Sequence, residues 1–339
     1  MKKKITNILV NIFGFIPDLL LNIFERIINI FEKTIAYLNY IIFNSRKKKN
    51  IKSVICFQNI EFKLNLKKDD HQAHDVYRNL NKKKNVIYEL PLITIIIEIL
   101  KKENFKNFLD LGAFMGYYSC LLGKLFHNKD ITFHAIESNE VYCSYINKNI
   151  EENKLKNVNL INAVLSDKSE LLYIENESVK LKDINNKLPK TQSTTLDSIC
   201  SQFSIKPEIL KIDVHGFEGK VLNGFKNNLV ENSKIVLLEL HSNSYLKEYS
   251  DSNKKEIINF LLDLNFNCYI VPYYGELNLY KVDSNFLIEN HKVSFRKINK
   301  SNYEDLFFDK EHTDNLIVAF KQEIDINKYN CFLDLSERS

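Results

Sequence analysis

From residue 86 onward the chain alternates short apolar runs with stretches of helical periodicity. That alternation restricts the fold more than any other feature, because repeated strand–helix–strand units bury both faces of a mostly parallel sheet. A helix is expected over 91–103, leading into the apolar run Phe108-Leu-Asp-Leu111. Gly112-Ala-Phe-Met-Gly116 follows, then a helical run to about Phe126. Residues 131–136 read as the second strand, ending at Glu137, and a helix is expected from about Asn139 to Asn153. The third strand is 158–165, ending at Ser166-Asp167; the fourth is 208–213 and the fifth 234–239. Residues 266–271 and 316–320 supply the last pair. Chemistry in such sheets sits at the carboxyl ends of the strands. The polar residues found there are Asp110, Glu137, Asp167, Asp213, Glu239 and His241.

Residues 1 to about 45 differ from this core. After Met1-Lys-Lys-Lys4, apolar residues recur at helical spacing from Ile5 to Leu38, the mark of an amphipathic helix. Gly14 and Pro17 split the run into two helices. Asn7 and Asn11 interrupt the core a signal peptide would need, and no small-residue cleavage site follows. Asp18, Glu25 and Arg26 cut the run short of a membrane span. A stripe closed by Arg46-Lys-Lys-Lys49 suits docking on the protein's own domain or a sister subunit, or peripheral contact with an anionic inner-membrane surface.

Composition excludes several classes. With 45% hydrophobic residues the chain is too apolar for disorder. Interleaved charges summing to +4 do not make an electrostatic nucleic-acid binder. Cys56, Cys120, Cys143, Cys200, Cys268 and Cys331 form no paired spacing, so they read as free thiols of a reducing, cytoplasmic compartment. His71-Gln-Ala-His74-Asp75 lacks the spacing of a zinc-protease helix and reads as surface.

The strand ends point to a nucleoside. Gly112 and Gly116 bracket a tight strand-to-helix turn that lets backbone approach a ligand, with helix N–H groups behind it. Glu137, about twenty residues further on, is placed to accept from both ribose hydroxyls. Asp167 can accept from an adenine amino group. Each signal alone is also met by a plain loop or a helix cap. The turn lacks the triple glycine that contacts a pyrophosphate, which favours S-adenosylmethionine over NAD.

The sequence here resembles the FkbM family of S-adenosylmethionine-dependent O-methyltransferases. The resemblance rests on Phe108-Leu-Asp-Leu-Gly-Ala-Phe-Met-Gly-Tyr-Tyr-Ser119, Ala135-Ile-Glu-Ser-Asn139, Asn162-Ala-Val-Leu-Ser-Asp167 and Thr194-Thr-Leu-Asp197. It continues through Leu210-Lys-Ile-Asp-Val-His-Gly-Phe-Glu-Gly219, Val221-Leu-Asn-Gly224 and Leu238-Glu-Leu-His241, covering about 86–275. It implies an α/β Class I methyltransferase (Rossmann-like) fold with a mostly parallel seven-stranded sheet and an N-terminal helical extension. The expected organisation is a helical segment over 1–50, a cap over 51–100, the cofactor-binding domain over 101–323 and a tail over 324–339. Expected cofactor contacts are Asp110, Gly112, Gly116, Glu137, Ser138, Ser166 and Asp167, with Tyr88-Glu89 lining the pocket. The implied reaction is methylation of a hydroxyl, often on a sugar or polyketide-type product. Two positions depart from the family pattern. Phe114 replaces the Asn of Gly-Ala-Asn-x-Gly, and His215 replaces the Glu of Asp-Val-Glu-Gly. The second change can shift the substrate, alter the base or abolish activity, leaving a non-catalytic binding or scaffold protein as the alternative.

Methyl transfer from a sulfonium needs an acceptor oxygen held in line and a base for its proton. Asp213, His215 and His241 are the candidates, and histidine suits neutral pH. The bland reading of Asp213 is a cap for a helix starting near Gly216. Asp213, Glu239 and His241 also offer oxygens and an imidazole of the kind a divalent cation takes. Strand-end acids converge in many sheets without metal, so no metal ligand is assigned. Residues 275–315, with Tyr273-Tyr274 just before them and carrying Phe286 and Phe295, are expected over the acceptor, where aromatic rings stack on sugars or serve as core.

Overall fold

The computed structural model describes residues 50–57, 60–70, 73, 76–77, 88–175, 178–183, 187–271, 293–303, 314–329 and 331–334. The expectations for residues 1–45, His71 and His74, and for Tyr273, Tyr274 and Phe286, lie outside them. The chain divides into two compact units, one made of Lys52–Leu66 and Tyr77–Ser339, the other of Met1–Ile51 and Lys67–Val76.

Strands β1 (Asn50–Phe57) and β2 (Ile60–Lys67) pair with each other. Helix α1 (Leu90–Lys102) carries Pro91 in its first turn and Lys101 and Lys102 in its last, both favourable positions. It is apolar nearly all round and is buried accordingly. Then follow β3 (Asn107–Leu111), α2 (Tyr117–Leu125), β4 (Thr132–Glu137), α3 (Glu140–Asn153) and β5 (Val158–Asn162). Asn139 caps α3, its side chain accepting from the Val141 N–H at 2.9 Å.

The expected third strand is not continuous. The Ala163 N–H makes the last bond of the β4–β5 ladder, to the Glu137 carbonyl at 3.0 Å, and β6 (Val164–Leu165) then leaves for a separate small sheet. That sheet comprises β7 (Leu171–Glu175), β8 (Ser178–Lys180) and β9 (Lys190–Thr194) besides β6. After α4 (Leu196–Phe203) come β10 (Ile209–Ile212), α5 (Glu218–Asn223), α6 (Lys226–Glu231), β11 (Ile235–Leu240), α7 (Asn243–Ser250) and α8 (Lys254–Asp263). The described chain ends with β12 (Phe266–Val271), β13 (Val293–Ile298), β14 (Asn315–Lys321) and β15 (Phe332–Asp334).

The main sheet runs β15-β13-β12-β14-β11-β10-β3-β4-β5. It therefore has nine strands among the described residues, where seven were expected. The extra pair is β13 and β15, the latter drawn from the segment read as a tail. From β11 to β5 the strands are parallel, and β14 inserts antiparallel between β11 and β12. The chain moves outward one way from β3 through β4 and β5, and the other way from β10 to β11. Strand order thus reverses between β3 and β10, the place where such sheets open a crevice for ligands. Phe295 lies buried in β13, edge-on to Tyr269 at 5.0 Å, and serves as core.

Candidate active site at the β3–β10 switch point

Gly112 ends β3 with φ of +74°, and a Cβ there would meet the Asp213 carbonyl oxygen at 1.8 Å. No other residue lets the first turn and the end of β10 approach so closely. The Asp213 N–H bonds the Leu111 carbonyl at 3.0 Å, locking the two strand ends together. Gly116, at +80°, starts α2. The turn is held from behind by Asn149 of α3, which donates to the Met115 carbonyl at 2.8 Å and accepts from the Asn65 N–H of β2 at 2.7 Å.

Glu137 is buried at the end of β4 and faces this turn. One oxygen accepts from the Phe114 N–H and the other from the Asn139 N–H, each at 2.8 Å, with Ser138 Oγ at 3.4 Å. Burial lifts its pKa to about 7 against those hydrogen bonds. A carboxylate has about four acceptor positions, and with three taken, capacity remains for a ribose hydroxyl. Beside it, Ser138, Asn139, Asn162, Ala163 and Val164 line one wall of a groove of about 380 Å³. Phe114 has φ of +53° and meets Tyr142 edge-on at 4.7 Å. Asparagine tolerates that left-handed conformation better than most residues, which explains the family's Asn on backbone grounds. The ring of Phe114 instead gains an aromatic contact.

Asp110, Ser166 and Asp167 play different parts. Asp110 is wholly buried, accepting from Ser119 Oγ at 2.7 Å with the Lys211 ammonium 3.7 Å away. It fastens β3 to α2 and β10, and burial raises its pKa. Ser166 is wholly buried, its hydroxyl within 3.3 Å of both Asp167 and Glu170. Asp167 pairs with Lys220 at 2.9 Å and lines a groove with residues of α5 and α8. Tyr88 packs edge-on to Tyr117 at 5.8 Å, and buried Glu89 accepts from the Tyr118 hydroxyl at the start of α2.

A charged array occupies the carboxyl ends of β10 and β11. Lys211 is buried in the central strand, 3.1 Å from Asp213. Burial opposes its charge, but Asp213, Asp110, Glu89 and Glu239 together hold its pKa above the ordinary lysine value. Asp213 lies 4.0 Å from the Nε2 of both His215 and His241. Burial pushes the Asp213 carboxyl up, yet Lys211 and the two imidazoles prevail and hold it near 2. Asp213 caps no helix: α5 begins at Glu218 after Phe217, with no side-chain cap. His215 stands at φ of +49°, a strained backbone for a non-glycine residue. Burial lowers its pKa, against the pull of Asp213, so its imidazole is neutral near pH 7. His241 is the opposite case. Its Nδ1 lies 2.8 Å from Glu218 Oε1, and despite burial Glu218, Asp213 and Glu239 lift it to about 10. The rings of His215, His241, Tyr245 and Tyr249 form a row with successive centroids 5.1, 5.3 and 4.2 Å apart.

The structure thus gathers Gly112, Asp213, His215 and His241 into one corner, with Glu137 on the far side of the turn. Sequence reasoning did not single out Lys211 or Glu218. Glu218 stands within the quoted motif, three residues after His215, where its spacing was the available signal. Lys211 stands in the same motif, where a lone cation inside an apolar strand was the available signal.

The model of the family described as "Methyltransferase FkbM domain" matches residues 56–268. No curated protein sequence matches the chain. Among solved structures, the FkbM methyltransferase of Methylobacillus flagellatus KT is 12% identical, covering 49% of this chain and 40% of that one, with a TM-score of 0.36. This chain therefore spans less than half the length of that relative. The precorrin-6y C5,15-methyltransferase of Geobacter metallireducens GS-15 is 15% identical over 69% and 87% of the two chains, with a TM-score of 0.35. An O-methyltransferase from Bacillus cereus in complex with SAH is 11% identical over 68% and 80%, at 0.34. Likenesses this distant carry no argument, whereas the family match spans more than half of the 339 residues, and on it this chain belongs to the FkbM methyltransferase family.

Proposed function

We propose that the chain is an S-adenosylmethionine-dependent O-methyltransferase whose acceptor is a hydroxyl of a carbohydrate or glycoconjugate. The observation that carries this reading is the contact of the Gly112 turn with Asp213, which joins a nucleoside-sized seat to an acid–base array. The seat fits the cofactor on three counts. Glu137 keeps acceptor capacity for a ribose hydroxyl, and the adjoining groove suits a flat base with Ser138 and Ala163 on its wall. Asp110 and Gly116 shape the turn beside that seat, Asp110 through its bond with Ser119 at the start of α2. Asp213, held ionised at the end of β10, is a negative charge that favours a sulfonium cation over a pyrophosphate. When bound, S-adenosylmethionine supplies an activated methyl group.

The residues divide the remaining work. His215, neutral near pH 7, is the base that takes the hydroxyl proton, and the Asp213 carboxylate stabilises the imidazolium that results. His241, already cationic and held by Glu218, cannot accept that proton near neutral pH. Half-buried Tyr245 and Tyr249 continue the ring row from His241, with the Lys180 ammonium 4.6 Å from the Tyr249 ring. The lysine-flanked stripe of residues 1–45 supports self-association or contact with the cytoplasmic face of an anionic membrane. Among the described residues no helix is long and apolar enough to cross one.

The test combines calorimetry of S-adenosylmethionine binding with a labelled-methyl assay on a pool of cell glycans, followed by mass spectrometry of the product. The proposal expects binding, a labelled glycan, and loss of labelling in His215→Ala. Binding without turnover on any pool supports a non-catalytic binding protein instead. His215→Glu, which restores the family's residue, asks whether the imidazole is a specialised base or a weakened one.

A further inference from the structure

We propose that Glu239, His241 and Asp314 form a divalent-cation site of the Mn2+/Mg2+ class at the carboxyl end of β11. One ligand atom from each lies within 4.8 Å of the other two. Octahedral coordination with bonds near 2.1 Å places neighbouring ligands about 3 Å apart and opposed ones about 4 Å apart, so closure around an ion needs only side-chain adjustment. The backbone prepares the cluster. Glu239 and His241 are two residues apart at the end of a strand, hence on one face. β14 pairs antiparallel with β11 in the register Leu240↔Asn315, which puts Asp314 opposite His241. The Ser242 N–H donates to Asp314 Oδ1 at 3.0 Å and fixes that carboxylate by one oxygen.

The second observation is behind the imidazole. Glu218 is wholly buried, and its Oε1 holds His241 Nδ1 at 2.8 Å. A buried carboxylate on one ring nitrogen is the arrangement that orients a histidine ligand, and a cation binding at Nε2 displaces to solvent the proton that His241 carries there. Glu218 Oε2 is buried without a hydrogen-bond partner, while Oε1 also accepts from the Gly216 N–H at 3.0 Å, which fixes the carboxylate behind the imidazole. Asp213 Oδ1, 4.0 Å from His241 Nε2, borders it on the substrate side. Two oxygens and one nitrogen leave open coordination positions, and two hard ligands beside one imidazole suit Mn2+ or Mg2+ better than a thiolate-seeking ion. Resting on the methyl-transfer reading, those open positions would take the acceptor's oxygens next to Asp213.

The experiment titrates the chelator-treated full-length chain with MnCl2, following free Mn2+ by electron paramagnetic resonance. A single tight equivalent is expected. Asp314 is exposed, so Asp314→Asn should fold and weaken Mn2+ on the order of tenfold or more. Glu218→Gln, which touches no ion directly, should weaken it by about 10–100-fold. Absence of uptake, or uptake equally strong in both variants, overturns the site. Calorimetry with S-adenosylmethionine on the same samples separates the two readings. Cofactor binding without Mn2+ uptake sinks the cation site alone, while Mn2+ uptake without cofactor binding sinks the methyl-transfer reading and leaves the site standing.

Discussion

One methyl group decides whether the first turn can exist. At Gly112 a Cβ would lie 1.8 Å from the Asp213 carbonyl oxygen, and φ is +74°. Gly112→Ala must both strain the backbone and part β3 from β10, so a loss of at least about 2 kcal/mol is expected. Urea unfolding measures it, and an alanine variant as stable as the parent would refute the close approach. Glu137 gives a second prediction at this scale. Hydroxyl donors favour an ionised carboxylate, and burial has left this one with a pKa of about 7. S-adenosylmethionine affinity should therefore climb as pH rises toward 7 and level off above it. In Glu137→Gln the affinity should fall by about 1.5–3 kcal/mol, the worth of hydrogen bonds to a charged group, and the climb should vanish. Calorimetry across pH 5 to about 8.5 tests both. Gly112 and Glu137 were legible because a tight turn and a strand end announce themselves in sequence. The left-handed backbone of Phe114 and His215 was not, since neither residue type advertises it.

At the level of elements, the apolar runs located the central strands to within a residue or two, because buried parallel strands have no polar face to blur their ends. What they did not convey was the role of Lys211, which sits in the middle of the sheet, beside Asp110 in register and 3.1 Å from Asp213, with the Tyr118 ring 5.0 Å from its ammonium. An ammonium there joins β10 to β3 and α2 through Asp110 and its Ser119 partner. Lys211→Met keeps the strand's apolar contacts but leaves Asp110 wholly buried without a counter-charge. The expected loss is about 3–5 kcal/mol. Adding Asp110→Asn should return part of it, and the double-mutant cycle should show clear coupling. Strictly additive losses would mean that the pair does not act as a unit. The break at Ala163 was equally hidden. Residues 158–165 are apolar enough for one strand, and only the pairing of Val164 and Leu165 with β9 instead of β4 divides them.

For the molecule as a whole, the order of elements was the readable part. Alternating strands and helices imply a sheet whose order reverses once, and the reversal between β3 and β10 gathers the Gly112 turn and Asp213. Long-range register was unreadable, so Asp314, carried beside His241 by the inserted antiparallel β14, had no local signal. The added strands β13 and β15 were hidden for the same reason. All the residues assigned here to cofactor, acceptor or cation lie between Tyr88 and Asp314, remote in sequence from the lysine-flanked stripe of residues 1–45. Deleting residues 1–49 should therefore leave S-adenosylmethionine affinity intact while changing where the protein resides. Full-length chain should co-float with vesicles of phosphatidylglycerol and phosphatidylethanolamine, and salt should weaken that attachment, since each lysine or arginine near an anionic surface contributes about 1 kcal/mol that ions screen. The shortened chain should stay behind. If both forms partition alike, the stripe meets protein rather than lipid, and sedimentation of the two forms should then differ in oligomeric state.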